Sequence, residues 1–238
     1  MTSRIRILGI FLVIGGLLFV GAGAFTFVKT QEGTASLKAF SEKQNVKLSY
    51  DDKGVLNGDD PEEAAGIMGL LADDWKYPVV ASELDPNDPI VNTATEYMYQ
   101  MATISYHVLN GTQTVVFKED VEAADGTIVP AGTYEFKVDG RYYADFGRAD
   151  PIEAAARGQA WSPTALGLIG ELGVGTTTAS ALQLALAMAG LLAGIGLSVI
   201  FTGLGLVWVS AARMPVLTES VSTGPAIGTG VLPVTAAR

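Results

Sequence analysis

The chain has no cysteine and only one histidine in 238 residues. Without cysteine there is no disulfide, no thiol nucleophile and no thiolate ligand for a metal. With His107 alone, an iron or zinc centre that needs two imidazoles cannot form within one chain. No P-loop, no nucleophile elbow and no basic nucleic-acid patch occurs, and Gly173-x-Gly175 lacks the preceding strand and third glycine of a dinucleotide fingerprint. No cofactor and no nucleic-acid partner are therefore expected. Charge is also missing, from two places. Residues 7–28 and 172–212 form uncharged runs of 22 and 41 residues. About 18 apolar residues already propose a membrane span, so a soluble globular protein is excluded.

The charges that are present sort by segment. Residues 29–171 hold 24 acidic and 11 basic side chains, and the two ends carry Arg4, Arg6, Arg213 and Arg238 against Glu219. Short basic flanks stay cytoplasmic, whereas long acidic segments translocate largely regardless of charge. This predicts a plasma-membrane protein with both termini cytoplasmic. Residues 1–6 are read as the inner N-terminus, 7–28 as the first transmembrane helix, 29–171 as an extracytoplasmic domain and 213–238 as a disordered inner tail. A cleavable signal peptide is the competing reading of the first run, because Ala22-Gly23-Ala24 resembles a cleavage site. The apolar run continuing to Val28 favours an anchor.

The second run, 172–212, exceeds one crossing. It is read as one helix that spans at about 191–212, with Leu182, Leu184, Leu186 and Met188 standing above the bilayer and needing cover. Small residues recur every seven positions in both runs: Gly9, Gly16 and Gly23 in the first, Gly196, Gly203 and Ser210 in the second. Such stripes let helices approach closely in lipid. The expected antiparallel seam pairs Gly9 with Ser210, Gly16 with Gly203 and Gly23 with Gly196. A second stripe, Gly190, Gly194, Ser198 and Thr202, suits another membrane or envelope protein, or a second copy of the chain.

Between the spans the pattern is mixed α and β, so the expected fold is a membrane α-helical hairpin carrying an α+β extracytoplasmic domain. Helices are predicted at 34–43, from Pro61 behind an Asp60 cap, from the Thr93-x-x-Glu96 capping box to Leu109, and from Pro151 behind Asp150. Short strands are predicted at 46–50, 113–117, 128–129, 133–138 and 141–146, with hairpin turns at Pro130-Ala131-Gly132 and Asp139-Gly140. A helix opening at Ser162-Pro163 is expected to reach the second span through a hinge at 173–178.

Four stretches carry a resemblance: residues 1–30, Ser82-Glu83-Leu84-Asp85-Pro86-Asn87-Asp88-Pro89, Glu96-Tyr97-Met98-Tyr99-Gln100-Met101-Ala102, and Pro130-Ala131-Gly132-Thr133-Tyr134-Glu135-Phe136. Together they resemble a group of actinobacterial two-span membrane proteins, some of them labelled aromatic ring-opening dioxygenases. The resemblance implies a bacterial plasma-membrane protein. It carries over no site residue, because the iron chemistry of that label needs two histidines.

Candidate ligand residues are few. Asp85, Asn87 and Glu96 occupy positions 1, 3 and 12 of a calcium-loop spacing, but Pro89 and Ile90 stand where an oxygen ligand and glycine belong. Asp59, Asp60, Glu62 and Glu63 cluster at a helix start, and His107 sits near a helix end, where the dipole favours its charge. The expected function is therefore that of a non-enzymatic accessory, scaffolding or assembly subunit of an envelope complex. The alternatives are an extracytoplasmic ligand- or cation-binding sensor, or an enzyme built on Arg141 or Arg148 with Asp139 or Asp145.

Overall fold

A computed structural model describes residues 2–211. The predicted tail, Arg213 and the final residue of the second apolar run lie outside the described residues. The architecture is mostly helical, with two long apolar helices and a small sheet region. Both helices are long and apolar enough to cross a membrane.

The first, α1 (Thr2–Gln44), has 43 residues, about 65 Å at 1.5 Å per residue. The predicted helix at 34–43 is its upper end rather than a separate element. Nothing interrupts it between: Lys29 pairs with Glu32 at 2.7 Å, and Thr26, Thr30 and Thr34 donate to carbonyls four residues back. The second, α5 (Pro163–Ala211), has 49 residues, about 74 Å. The hinge expected at 173–178 is absent. Thr176, Thr177 and Thr178 each donate their hydroxyl to the carbonyl four residues earlier, so their polarity is absorbed within the helix.

The two helices run antiparallel and in close contact. Gly9 lies against Gly203 and Val207, Gly16 against Gly196 and Ile200, and Gly23 against Ala189 and Ala193. A Cβ at Gly16 would stand 2.6 Å from the Gly196 carbonyl oxygen, so only glycine allows this approach. The register differs from the expected one by seven residues, and Ser210 falls past the Gly9 contact, its hydroxyl on the Val207 carbonyl at 2.7 Å. A heptad stripe looks the same after a seven-residue slip, so the stripe alone cannot choose. Contacts higher up choose: Leu182 covers Gly33, and Gln183 donates to Glu83. In this register Leu184, Leu186 and Met188 lie beside the last turns of the uncharged run of α1. They do not stand above it, and they remain exposed.

The small region between the long helices is built around α3 (Ala94–Leu109), which packs on α5. Its buried Tyr99, Ala102 and Leu109 belong to one core with Ile67 of α2 (Pro61–Gly69) and Leu70 and Leu71 of the π-helical turn Leu70–Asp74. The caps form as the sequence predicts. Asp60 accepts from the Glu63 amide at 3.0 Å, and Thr93 and Glu96 close a reciprocal box. Asp150 accepts from the Ile152 amide at 2.8 Å to open α4 (Pro151–Ala160).

The strands pair otherwise than expected. β1 (Thr112–Phe117) runs antiparallel to β4 (Gly132–Lys137), while β2 (Val121–Glu122) and β3 (Ile128–Val129) form their own short arm. The arm turns at Asp125-Gly126, where Gly126 has φ +84° and Asp125 accepts from the Thr127 amide. Pro130-Ala131-Gly132 thus connects the arm to β4 and closes no hairpin, and Asp139-Gly140 ends β4 in a turn. Residues 46–50 make only isolated bridges, Lys47 with Ile90 and Tyr50 with Leu56. Residues 141–146 are turns, stabilised by the Asp145 carboxylate on the Tyr142 amide at 2.9 Å.

Candidate functional site

The seven-residue stripes do not stop where the apolar runs stop. On α1 the series Gly9, Gly16, Gly23 continues as Thr30, Leu37 and Gln44; on α5 the series Gly203, Gly196, Ala189 continues upward as Leu182, Gly175 and Leu168. Small residues give backbone contact low on the pair. Higher up Leu37, Gln44, Leu182 and Leu168 stand at most of these positions, and a cleft of about 530 Å³ opens between α1, α3 and α5. A volume of this size is that of a small-molecule site.

Its walls are mainly apolar: Leu37 and Phe40 of α1, Ile104 of α3, Leu168, Leu172 and Val174 of α5, with Val46 and Val91 at the side. Gly175 has a defined role, since the Tyr97 ring lies directly against it where any side chain would collide. The Tyr97 hydroxyl and the Ser41 hydroxyl hydrogen-bond at 2.7 Å, both buried. That bond ties α3 to α1 and uses one of the two hydroxyl protons. Gln44, Gln100 and Glu171 supply the remaining polarity. Phe40 and Val174 are exposed, at 53% and 67% of their surface. Below, a hollow of about 220 Å³ shares Leu37 with the cleft and extends past Leu182 to Leu186.

The residues singled out for calcium do not converge. Asp85 turns back on its own loop, accepting from the amide and side chain of Asn87 at 2.8 and 2.9 Å. Glu96 is buried beneath the N-terminus of α3, one oxygen accepting from the Asn92 and Thr93 amides and the Thr93 hydroxyl. Burial raises its pKa above the ordinary value despite those bonds. Among the described residues, no three His, Asp or Glu side chains gather to hold a metal. His107 is exposed and faces Glu63 at 3.5 Å. Arg141 pairs with Glu153 at 3.3 Å and lies over the Phe136 ring, and Asp145 serves a turn, so these residues build structure locally.

Tyr99 was not among the sequence candidates. It is 1% exposed, its hydroxyl has no hydrogen-bond partner among the described residues, and its pKa is pushed up to about 12 by burial and then by the charge of Glu63. Gly190 and Gly194 have no neighbour within 4 Å of a Cβ, so that face is open. Ser198 and Thr202 on it donate to carbonyls four residues back. Comparison with protein-family models, curated proteins and solved structures finds no match for this chain.

Proposed function

We propose that this chain is a two-span plasma-membrane protein that holds a non-catalytic ligand-binding domain above the outer surface. The observation that carries this reading is the unbroken course of α1 and α5. The helices that are apolar enough to cross the membrane also form two of the three walls of the cleft. The first polar level above the apolar pair is Lys29 and Glu32 on α1 with Gln183 on α5, and it sets the outer boundary. The crossing is then 7–28 on α1 and about 184–211 on α5, and Arg4 and Arg6 support an inner N-terminus. Membership of the actinobacterial group belongs to the same proposal and rests on the four sequence stretches.

A second reading, an accessory subunit of an envelope complex, is favoured by the open Gly190/Gly194 face. The hydroxyls of Ser198 and Thr202 are already used within the helix, so close packing is what this face offers a partner.

Topology is tested with single cysteines in a chain that has none of its own. Ser36→Cys, exposed on α1, should react with an impermeant maleimide in intact cells, and Ser220→Cys only after permeabilisation. Labelling of Ser220→Cys from outside would overturn the reading.

A further inference from the structure

We infer that the cleft takes a single membrane lipid with an uncharged head, drawn partly out of the outer leaflet between α1 and α5; this rests on the two-span reading above. The first support is continuity. The lower hollow shares Leu37 with the cleft and reaches Leu186, which on that reading faces hydrocarbon. From Leu186 to Leu168 is 18 residues of α5, about 27 Å leading upward from the bilayer, with Leu37, Ala179, Leu182 and Leu186 lining the lower hollow beside Thr30, Gln31, Thr34 and Gln183.

The second support is where polarity lies. Ser41 and Tyr97 hydrogen-bond to one another, so at the level of the cleft one of their two hydroxyl protons is already used and an acyl chain meets less free polarity there. Gln44, Gln100 and Glu171 offer amides and a carboxylate to a head. A lipid would therefore sit with its tail down and its head up. The third support is charge. No Lys, Arg or His lines the cleft, Glu171 does, and residues 29–171 carry thirteen more acidic than basic side chains. That field repels a phosphate or other anionic head. Lys38 lines the lower hollow, beneath the head position. Phe40 and Val174, apolar and exposed at the level of the cleft, are the surfaces such a chain would cover.

The test uses the full chain in phosphatidylcholine nanodiscs with trace diacylglycerol bearing a photoactivatable acyl chain. A parallel sample carries the same chain on phosphatidylglycerol. After irradiation, labelled peptides are mapped by mass spectrometry. Label is expected at residues 37–44 and 168–178, and also on the lipid-facing surface of 184–201. Excess unlabelled diacylglycerol should remove the first and spare the second. Val174→Asp or Phe40→Asp should cut cleft labelling about tenfold, because a carboxylate resists burial against a chain. Both positions are exposed, and far-UV circular dichroism would verify folding; the competition arm needs no variant. Cleft peptides left bare while the hairpin is labelled would overturn this inference alone. Label on neither would remove the two-span reading with it. Equal labelling by phosphatidylglycerol would overturn the uncharged head, and cleft cross-links to a second copy would make the cleft a subunit interface instead.

Discussion

Two tyrosines two positions apart on α3 have opposite fates, and the difference is a matter of one partner atom. Tyr97 reaches Ser41 across the cleft at 2.7 Å. Tyr99 points its hydroxyl into the interior with no partner among the described residues, beside Glu63 and Tyr50. Removing a satisfied hydroxyl loses about 1 kcal/mol, whereas removing a buried unsatisfied one is neutral or favourable. Tyr97→Phe should lower the melting temperature by about 2–4 °C, the shift that 1 kcal/mol gives in a domain of this size. Tyr99→Phe should leave it unchanged or raise it. Thermal unfolding followed by the fluorescence of Trp75 and Trp161 measures both, and equal losses would mean that Tyr99 has a partner. The pair also shows what one residue type can hide. Both tyrosines lie within one turn of the same capped helix, but which of them bonds across to another element depends on a contact 56 positions away in sequence.

At the scale of elements, the seam between α1 and α5 separates what pattern can say from what contact decides. The existence of a close glycine stripe follows from the seven-residue spacing. Its register does not, because the slip from Gly9 on Gly203 to Gly9 on Ser210 preserves small-against-small pairing. The register is fixed by larger groups above the stripe, Leu182 over Gly33 and Tyr97 over Gly175. A cysteine pair distinguishes the alternatives. A Cβ at Gly23 lies 3.4 Å from the Ala193 Cβ, near the spacing a disulfide needs, and 2.9 Å from the Ala189 carbonyl oxygen, so the helices must part by a few tenths of an ångström to take it. Gly23→Cys with Ala193→Cys should cross-link under mild oxidation, while Gly23→Cys with Ile200→Cys, the pair one heptad away, should not. Gly16→Leu should destabilise the pair by about 1–3 kcal/mol through overpacking. The same logic explains other differences between pattern and fold. Capped helix starts at Asp60, Thr93 and Asp150 were legible because the signal is contained within four residues. The β1–β4 pairing was not, because the Asp125-Gly126 turn of the intervening arm had to be recognised first. The cleft was hidden for a related reason: Gly175 reads as a helix breaker until Tyr97 is placed against it.

For the whole molecule, the consequence of two unbroken helices is a fixed height. From Gln183 at the outer boundary to Pro163 is 20 residues of α5, about 30 Å above the bilayer on the two-span reading. A hinge at 173–178 would let the domain swing and would open or shut the path between membrane and cleft. A continuous helix keeps that path at constant length. Gly167 and Gly190 bracket the region and both have free space for a side chain. They are 23 residues apart, about 35 Å along a straight helix. Spin labels on Gly167→Cys and Gly190→Cys in nanodiscs should therefore give a single narrow distance near that value by pulsed electron resonance. Thr177→Pro removes one backbone donor and clashes with the preceding turn, so it should shorten and broaden the distribution. A broad distribution in the unmodified helix would show that the threonine back-bonds do not hold 173–178 straight. The cleft would then open and close with domain motion, and its access to the bilayer would be gated instead of constant.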